Sequence, residues 1–193
     1  MMFSEKILEW YDQNKRDLPW RNSKEPYNIW LSEVIMQQTQ IKQGTDYYRK
    51  FIETYPTVFD LANADEQDVL LLWQGLGYYS RARNLHSTAK IISDDFKGVF
   101  PYNYNELIKL KGVGDYTASM ILSVCFNKAY AAVDGNVLRF LSRLIGIKEP
   151  VNKSSGLKLV KESAINLISG NRPGDYNQAV MEFGSAQCKK NSP

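Results

Sequence analysis

Hydrophobic residues recur along most of the chain at intervals of three and four, the spacing of one face of an α-helix. The stripe is clearest near the start, over residues 3–13, where it comprises Phe3, Ile7, Leu8 and Tyr11. No alternating, β-branched run of strand length stands out. The pattern therefore predicts an all-α fold.

Glycine and proline divide this pattern into short segments. Asn28 can cap a helix that runs to about Gln43. Further helices are predicted over residues 46–54, 58–62, 66–74, 81–97, 104–110, 115–126, 137–144, 154–168 and 176–185. Short turns between many helices favour orthogonal packing over a long bundle.

The composition is typical of a soluble globular chain. Its 193 residues are 44% hydrophobic and 23% charged, which suffices for one large or two small domains and is too apolar for disorder. A net charge of +3 permits a nucleic-acid partner without requiring one. The charged start and the lack of a run of about 18 apolar residues lead us to expect no membrane span and a cytoplasmic location.

The small numbers of cysteine and histidine residues limit the disulfide and metal sites that this chain can form. Two cysteines, Cys125 and Cys188, are too few for a disulfide framework or for a complete four-cysteine metal site. We expect Cys125, on an apolar helix, to lie in the core. We expect His86, the only histidine, to have a structural role.

The most specific local motif covers residues 110–118 (LKGVGDYTA). Two glycines, Gly112 and Gly114, flank Val113 and allow a tight turn whose N–H groups point outward at a helix N-terminus. Such a turn can hold a DNA phosphate, and Lys109 and Lys111 add positive charge beside it. An ordinary tight turn between helices is the alternative. The motif is a helix-hairpin-helix, which indicates nucleic-acid binding.

Two acidic residues are candidates for catalysis. Glu33 shares a predicted helix face with Ile29 and Trp30, where lost hydration should raise its pKa and suit it to donate a proton. The alternative for Glu33 is the edge of a solvated face. Asp134 precedes Gly-Asn at a predicted helix start, where it could cap the helix or stabilise a developing cation in a pocket.

Amides and aromatic residues supply candidates for contacts with bases. Gln37 and Gln38 suit base edges and can fill a gap in a base stack. Residues 73–85 (WQGLGYYSRARNL) combine glycines, tyrosines and arginines, so this segment could meet a phosphodiester chain and wedge a side chain into a duplex. Ordinary polar surface explains both segments equally well.

Taken in order, these segments resemble the helix-hairpin-helix DNA glycosylases, and within them the adenine DNA glycosylases (the MutY family). The resemblance extends from about Leu18 to the last residue. It rests on residues 18–21 (LPWR), 30–39 (WLSEVIMQQT), 76–85 (LGYYSRARNL), 112–114 (GVG), 134–137 (DGNV) and 177–188, which begin with NQA and end in Cys188. The related endonuclease III branch carries a lysine nucleophile just after the hairpin, where this chain has Tyr116. The resemblance therefore implies a monofunctional glycosylase.

The resemblance implies hydrolysis of the N-glycosidic bond of adenine mispaired with 8-oxoguanine or guanine, after the adenine is flipped out of the duplex. Glu33 would protonate N7 of the adenine, and Asp134 would stabilise the oxocarbenium-like sugar. Tyr116 and Asn136 would arrange the acid, the water and the sugar. A glycosylase for another damaged base and an inactive helix-hairpin-helix DNA-binding fragment stay open as alternatives.

The implied partner is double-stranded DNA with an adenine mismatch, bound by a monomer. Gln38 and Tyr78 would occupy the stack near the lesion pair, with Leu76 beside them. Arg21, Gln37 and Arg81 would contact the DNA strands. A phosphate, with the help of a bound monovalent cation, would be held by the hairpin residues Lys111, Gly112, Val113 and Gly114.

The resemblance also implies two helical lobes with a DNA-binding cleft between them. A barrel would cover residues 20–131, and residues 1–19 with 132–193 would form the second lobe. The family binds a [4Fe-4S] cluster through a C-x6-C-x2-C-x5-C spacing. Cys188 matches the first ligand, but the sequence ends at Pro193. We therefore expect a truncated chain that does not hold the cluster, lacks the domain that reads 8-oxoguanine, and discriminates weakly between 8-oxoguanine and guanine.

Overall fold

The structure is a computed structural model that describes residues 2–191. Within this range every regular element is helical and no strand occurs, so the all-α prediction is confirmed. A short 3-10 helix covers Pro19–Asn22. The α-helices are α1 (Phe3–Asn14), α2 (Pro26–Met36), α3 (Ile41–Thr54), α4 (Val58–Asn63), α5 (Glu66–Leu72), α6 (Ser80–Asp94), α7 (Tyr104–Leu107), α8 (Asp115–Phe126), α9 (Gly135–Leu144), α10 (Ser154–Leu167) and α11 (Pro173–Ala186). Among the described residues, no helix has both the length and the apolar character needed to cross a membrane.

The largest departure from the predicted helices is at α2 and α3. A single helix from Asn28 to about Gln43 is wrong, because the chain leaves the helical conformation at Gln37 and turns through a left-handed Gln38 with φ 56°. The start is also earlier than predicted. Pro26 lies in the first turn of α2, where a missing N–H does no harm, and Asn28 donates to the hydroxyl of Ser23 instead of capping the helix.

The chain divides into two compact units. The central unit is Asp17–Ile121, and the terminal unit combines Met1–Arg16 with Leu122–Pro193. The predicted lobes, with their boundaries at residues 20 and 131, stay a prediction. Their outermost residues Met1, Ser192 and Pro193 lie outside the described part of the chain.

The central unit has an aromatic core. Trp30, Phe51 and Trp73 are almost fully buried, and the rings of Phe51 and Trp73 meet edge to face with their centroids 5.8 Å apart. Helix α2 packs on α3, and α6 packs on α4 and α5. His86 of α6 is buried in this unit, and burial lowers the pKa of its imidazole, which favours the neutral ring.

In the terminal unit, the hydrophobic stripe of α1 is buried against α11 and α9. Ile7, Leu8 and Tyr11 join one cluster with residues of α9, α10 and α11, and Phe3 packs against it. A buried acid also lies in this unit. Glu182 of α11 is 2% exposed and accepts hydrogen bonds on both carboxylate oxygens from Arg16, just beyond the end of α1.

Replacing Arg16 with Met should lower the free energy of unfolding by roughly 1–3 kcal/mol, because the buried Glu182 carboxylate loses a charged partner. The exposure of the Arg16 side chain, 44%, keeps the effect below that of a fully buried pair. Urea denaturation followed by circular dichroism measures the change. Lys6→Met, at an exposed position of α1, is the control and should change stability by no more than about 0.5 kcal/mol. Equal losses in the two variants would contradict this role of Arg16.

Candidate active site and nucleic-acid interface

The predicted hairpin forms a tight turn before α8. Gly112 has φ +78°, and a Cβ atom added there would lie 3.0 Å from Cβ of Asn84 on α6. The hydroxyl of Thr88, one turn further along α6, donates to the carbonyl of Lys111 at 2.8 Å. The conformation and the close approach of α6 both require glycine at position 112.

Around this turn, the side chains divide into buried and exposed ones. Val113 is buried, whereas Lys111 and Gly114 are exposed. Helix α8 begins at Asp115, directly after Gly114, so an exposed lysine lies close to the N-terminus of a helix of 12 residues. This is an arrangement that binds anions in other proteins. The carbonyls of Leu110 and Lys111 already accept hydrogen bonds within the central unit, and the monovalent cation stays a prediction.

Glu33 lies in the most buried helix of the central unit. Eight of the 11 residues of α2 are buried, and all of these except Ser32 and Glu33 are apolar or aromatic. Glu33 itself is 9% exposed, which excludes the edge of a solvated face. A carboxyl group in such surroundings is desolvated, and this condition suits a general acid.

Asp134, in the terminal unit, is the N-cap of α9. One carboxylate oxygen accepts from the backbone N–H of Val137 at 2.8 Å, so the capping interpretation is confirmed. The other oxygen accepts from the side-chain amide of Asn136 at 2.9 Å. The amide oxygen of Asn136 in turn accepts from Arg139 at 2.9 Å. These contacts hold the half-buried carboxylate in one orientation.

The segment that leads into Asp134 is held by Asn177, which the sequence marked only as part of a matching segment. Asn177 is 2% exposed. Its amide nitrogen donates to the hydroxyl of Ser123 and to the carbonyl of Tyr130, both at 2.8 Å, and its oxygen accepts from the N–H of Ala132 at 3.1 Å. A polar residue within the buried face of α11 is the signal that could have identified this role.

The residues expected near the base stack share an unusual backbone conformation. Gln38 and Tyr78 have φ values of 56° and 47°, in the left-handed region that residues with a Cβ seldom adopt. Both are exposed, Tyr78 by 67%, whereas Leu76 is buried. Strained residues of this kind cluster at functional sites.

Arg81 contacts the backbone of two segments, the end of α2 and the residues just before α6. Its guanidinium donates to the carbonyls of Val34, Ile35, Gln37, Leu76 and Gly77. It also lies over the rings of Trp73 and Tyr78, at 5.1 and 5.8 Å from their centroids. The contact of Arg81 with a DNA strand stays a prediction.

The central unit brings several predicted residues together around one small cavity. Gln37, Arg81, Lys111 and Gly112 all line a space of about 50 Å³. Arg21 is half-buried in the 3-10 helix, and Tyr116 is half-buried in the first turn of α8. Their roles stay predictions.

The cysteines do not form a metal centre in the described part of the chain. Cys188 is buried after α11, and its Sγ accepts from Arg143 at 3.2 Å. Within residues 2–191 no group of three or more His, Cys, Asp or Glu side chains could hold a metal ion. One thiol does not supply the four ligands of a [4Fe-4S] cluster. The prediction of a core position for Cys125 is wrong, because this residue is only half-buried in the last turn of α8.

Comparison with known proteins places the chain in a family. Residues 31–162 match the HhH-GPD superfamily of base excision DNA repair proteins. The chain belongs to this superfamily. An adenine DNA glycosylase of Buchnera aphidicola subsp. Acyrthosiphon pisum is 40% identical over 195 residues, which cover 97% of this chain and 54% of that protein. The human adenine DNA glycosylase is 40% identical over 200 residues, covering 99% of this chain and 37% of that protein.

The resemblance to the adenine DNA glycosylases is confirmed by these relatives. The chain spans about half, or less, of the length of the curated relatives named here. Among solved structures, a thermostable thymine-DNA glycosylase has a TM-score of 0.89 at 28% identity, with 99% of this chain and 88% of that chain covered. Endonuclease III trapped covalently on DNA has a TM-score of 0.81 at 24% identity, with 98% and 86% covered, and shares the fold.

Ala substitutions at the two hairpin glycines should differ in their effect on folding. Gly112→Ala should lower the free energy of unfolding by roughly 1–3 kcal/mol, because it strains a left-handed backbone and crowds Asn84. Gly114→Ala is the matched control. An added Cβ at position 114 meets no atom within 4 Å, so we expect a change within about 0.5 kcal/mol. Chemical denaturation measures both variants, and equal effects would contradict this account of the turn.

Proposed function

We propose that this protein is an adenine DNA glycosylase, which hydrolyses the N-glycosidic bond of adenine mispaired with 8-oxoguanine or guanine. Relatives named adenine DNA glycosylase, 35–40% identical over nearly the whole chain, support this assignment. The observation that carries it is the burial of Glu33 in an otherwise mostly apolar helix.

Glu33 acts as the general acid. Its carboxyl group gives a proton to N7 of the flipped adenine while the bond between C1′ of the sugar and N9 breaks. The bonding electrons move into the base, which departs as neutral adenine because of the proton on N7.

Asp134 stabilises the positive charge that develops on the sugar. Hydrogen bonds from Val137 and Asn136 hold its carboxylate in place before the charge appears, so no reorganisation is needed during the reaction. Water then adds to C1′ and gives a proton to the carboxylate that Glu33 became when it protonated the base, which completes the hydrolysis and restores the acid. Tyr116 stands directly after Asp115 at the start of α8, and its phenol does not form a Schiff base with the sugar. The enzyme is therefore monofunctional.

The proposed DNA contacts involve the hairpin, the two exposed residues with left-handed backbone conformations, and two half-buried residues. Lys111 and the hairpin residues Gly112 to Gly114 bind a phosphate, and Gln38 and Tyr78 enter the base stack beside the mismatch. Arg21 and Gln37 contact the strands. Extrusion of the adenine costs roughly a few kcal/mol and is less unfavourable at a mismatch. The protein acts as a monomer on chromosomal DNA in the cytoplasm.

Removal of thymine from a mismatch is the second candidate. The structural likeness to a thymine-DNA glycosylase, with a TM-score of 0.89, favours it. The two candidates differ in the base that leaves, so one assay with two duplexes separates them.

Single-turnover assays on duplexes with adenine opposite 8-oxoguanine and with thymine opposite guanine test the assignment. Wild-type protein should release adenine. Glu33→Gln and Asp134→Asn should bind the duplex but release adenine about 10²–10⁴-fold more slowly, because each loses a group that acts in the transition state. Glu53→Gln, which alters an exposed acid of α3, should match wild type. Release of thymine alone would establish the second candidate, and release of neither base would refute both.

Borohydride trapping tests the monofunctional mechanism. With wild-type protein and the adenine–8-oxoguanine duplex, we expect no covalent protein–DNA adduct after reduction, since no amine attacks the sugar. Denaturing gel electrophoresis detects such an adduct. A trapped species that accumulates at the rate of base release would contradict the assignment of Tyr116.

A further inference from the structure

Arg81 joins two segments that are distant in sequence. Its Nη1 donates to the carbonyls of Val34, Ile35 and Gln37, where α2 ends. Its Nη2 donates to the carbonyls of Leu76 at 3.2 Å and Gly77 at 3.4 Å, just before α6. One side chain therefore satisfies carbonyls from the two segments that precede Gln38 and Tyr78.

Each of these segments ends in a strained, exposed residue. Gln38 follows Gln37 directly, Tyr78 follows Gly77 directly, and both adopt left-handed φ values. A residue with a Cβ keeps this conformation only where its surroundings impose it. The contacts of Arg81 fall on the peptide groups next to Gln38 and Tyr78, and its guanidinium also lies over the ring of Tyr78.

We propose that Arg81 is a positioning residue that fixes the backbone before Gln38 and Tyr78, so that both side chains are oriented to enter the base stack. In this role Arg81 binds backbone carbonyl groups and does not contact a DNA phosphate. This role rests on the proposed function. A planar guanidinium with five N–H donors can serve several carbonyls at once, whereas a lysine ammonium has three donors on one atom. Lysine should therefore fail to replace Arg81 even though it keeps the charge.

Arg83 provides a matched control on the same helix. It lies two residues further along α6, is exposed, and approaches Glu66 at 3.7 Å with both side chains more than half exposed. Arg83→Met removes one positive charge from nearly the same position in the sequence without touching the carbonyls that Arg81 binds.

The first experiment measures amide hydrogen exchange in the free protein, over residues 36–40 and 74–79, for wild type, Arg81→Lys, Arg81→Met and Arg83→Met. Both Arg81 variants should exchange about tenfold faster than wild type in both segments, because local opening becomes easier. Arg83→Met should exchange like wild type. If Arg81→Lys exchanged its amide hydrogens as slowly as wild type in both segments, the proposal would be overturned. Loss of the helical circular dichroism signal in Arg81→Lys would overturn it too, because Arg81 would then stabilise the whole fold and not these two segments.

The second experiment measures binding to a duplex with adenine opposite 8-oxoguanine and to the same duplex fully paired, at several salt concentrations. Arg81→Lys and Arg81→Met should lose at least about tenfold of the preference for the mismatch, with an unchanged slope of log affinity against log salt. Arg83→Met should keep the preference. A phosphate contact by Arg81 predicts the opposite: retained binding in Arg81→Lys, and a slope that falls by about 0.9 in Arg81→Met.

The two experiments separate this proposal from the proposed function. If the Arg81 variants show the expected exchange pattern but wild-type protein releases no adenine, the glycosylase assignment fails, whereas Arg81 still holds the backbone before Gln38 and Tyr78. If adenine is released at the same rate by wild type and Arg81→Lys, with equal mismatch preference, the glycosylase assignment stands and the role of Arg81 is refuted.

Discussion

A buried helix must still satisfy the carbonyl groups of its last turn, and this constraint governs the central unit. Helix α2 is buried along most of its length, so water has little access to its carbonyl groups. The guanidinium of Arg81 donates hydrogen bonds to carbonyl groups at the end of α2 in the place of water. The same guanidinium donates to a carbonyl group of the segment before α6. The helix that carries the acid Glu33 thus ends in the same contacts that shape the exposed residues Gln38 and Tyr78.

The terminal unit meets a similar constraint with buried polar side chains. Helix α11 brings Asn177 and Glu182 into the core, and each finds partners: backbone and hydroxyl groups for the amide, an arginine for the acid. The contacts of Asn177 hold the chain just before α9, where Asp134 caps the helix. A buried polar group without a hydrogen-bond partner is unfavourable. Because opening this segment would leave such groups unpaired, the network rigidifies the chain just before the Asp134 carboxylate.

Family membership and geometry contribute different parts of the functional conclusion. The superfamily match and the shared fold indicate base excision repair but not which base leaves, since one fold serves several substrates. The candidate chemistry depends on side chains. A buried carboxyl, a carboxylate held by two donors and a tyrosine after the hairpin are suited to hydrolysis without a covalent intermediate.

The sequence by itself determined the helical fold and the cap of one helix that carries a candidate site residue. Hydrophobic spacing located α8 at residues 115–126, and the Asp-Gly-Asn triplet predicted the N-cap at Asp134, because both depend on neighbours within about four residues. Tertiary structure decided where α2 ends and what Arg81 does. The carbonyl groups of Val34, Ile35 and Gln37, which accept from Arg81, lie 44 to 47 residues from it in the sequence, so no local pattern predicts these contacts. Only packing brings those carbonyls to one guanidinium, and only that packing supports a left-handed glutamine where helical periodicity predicts continuation.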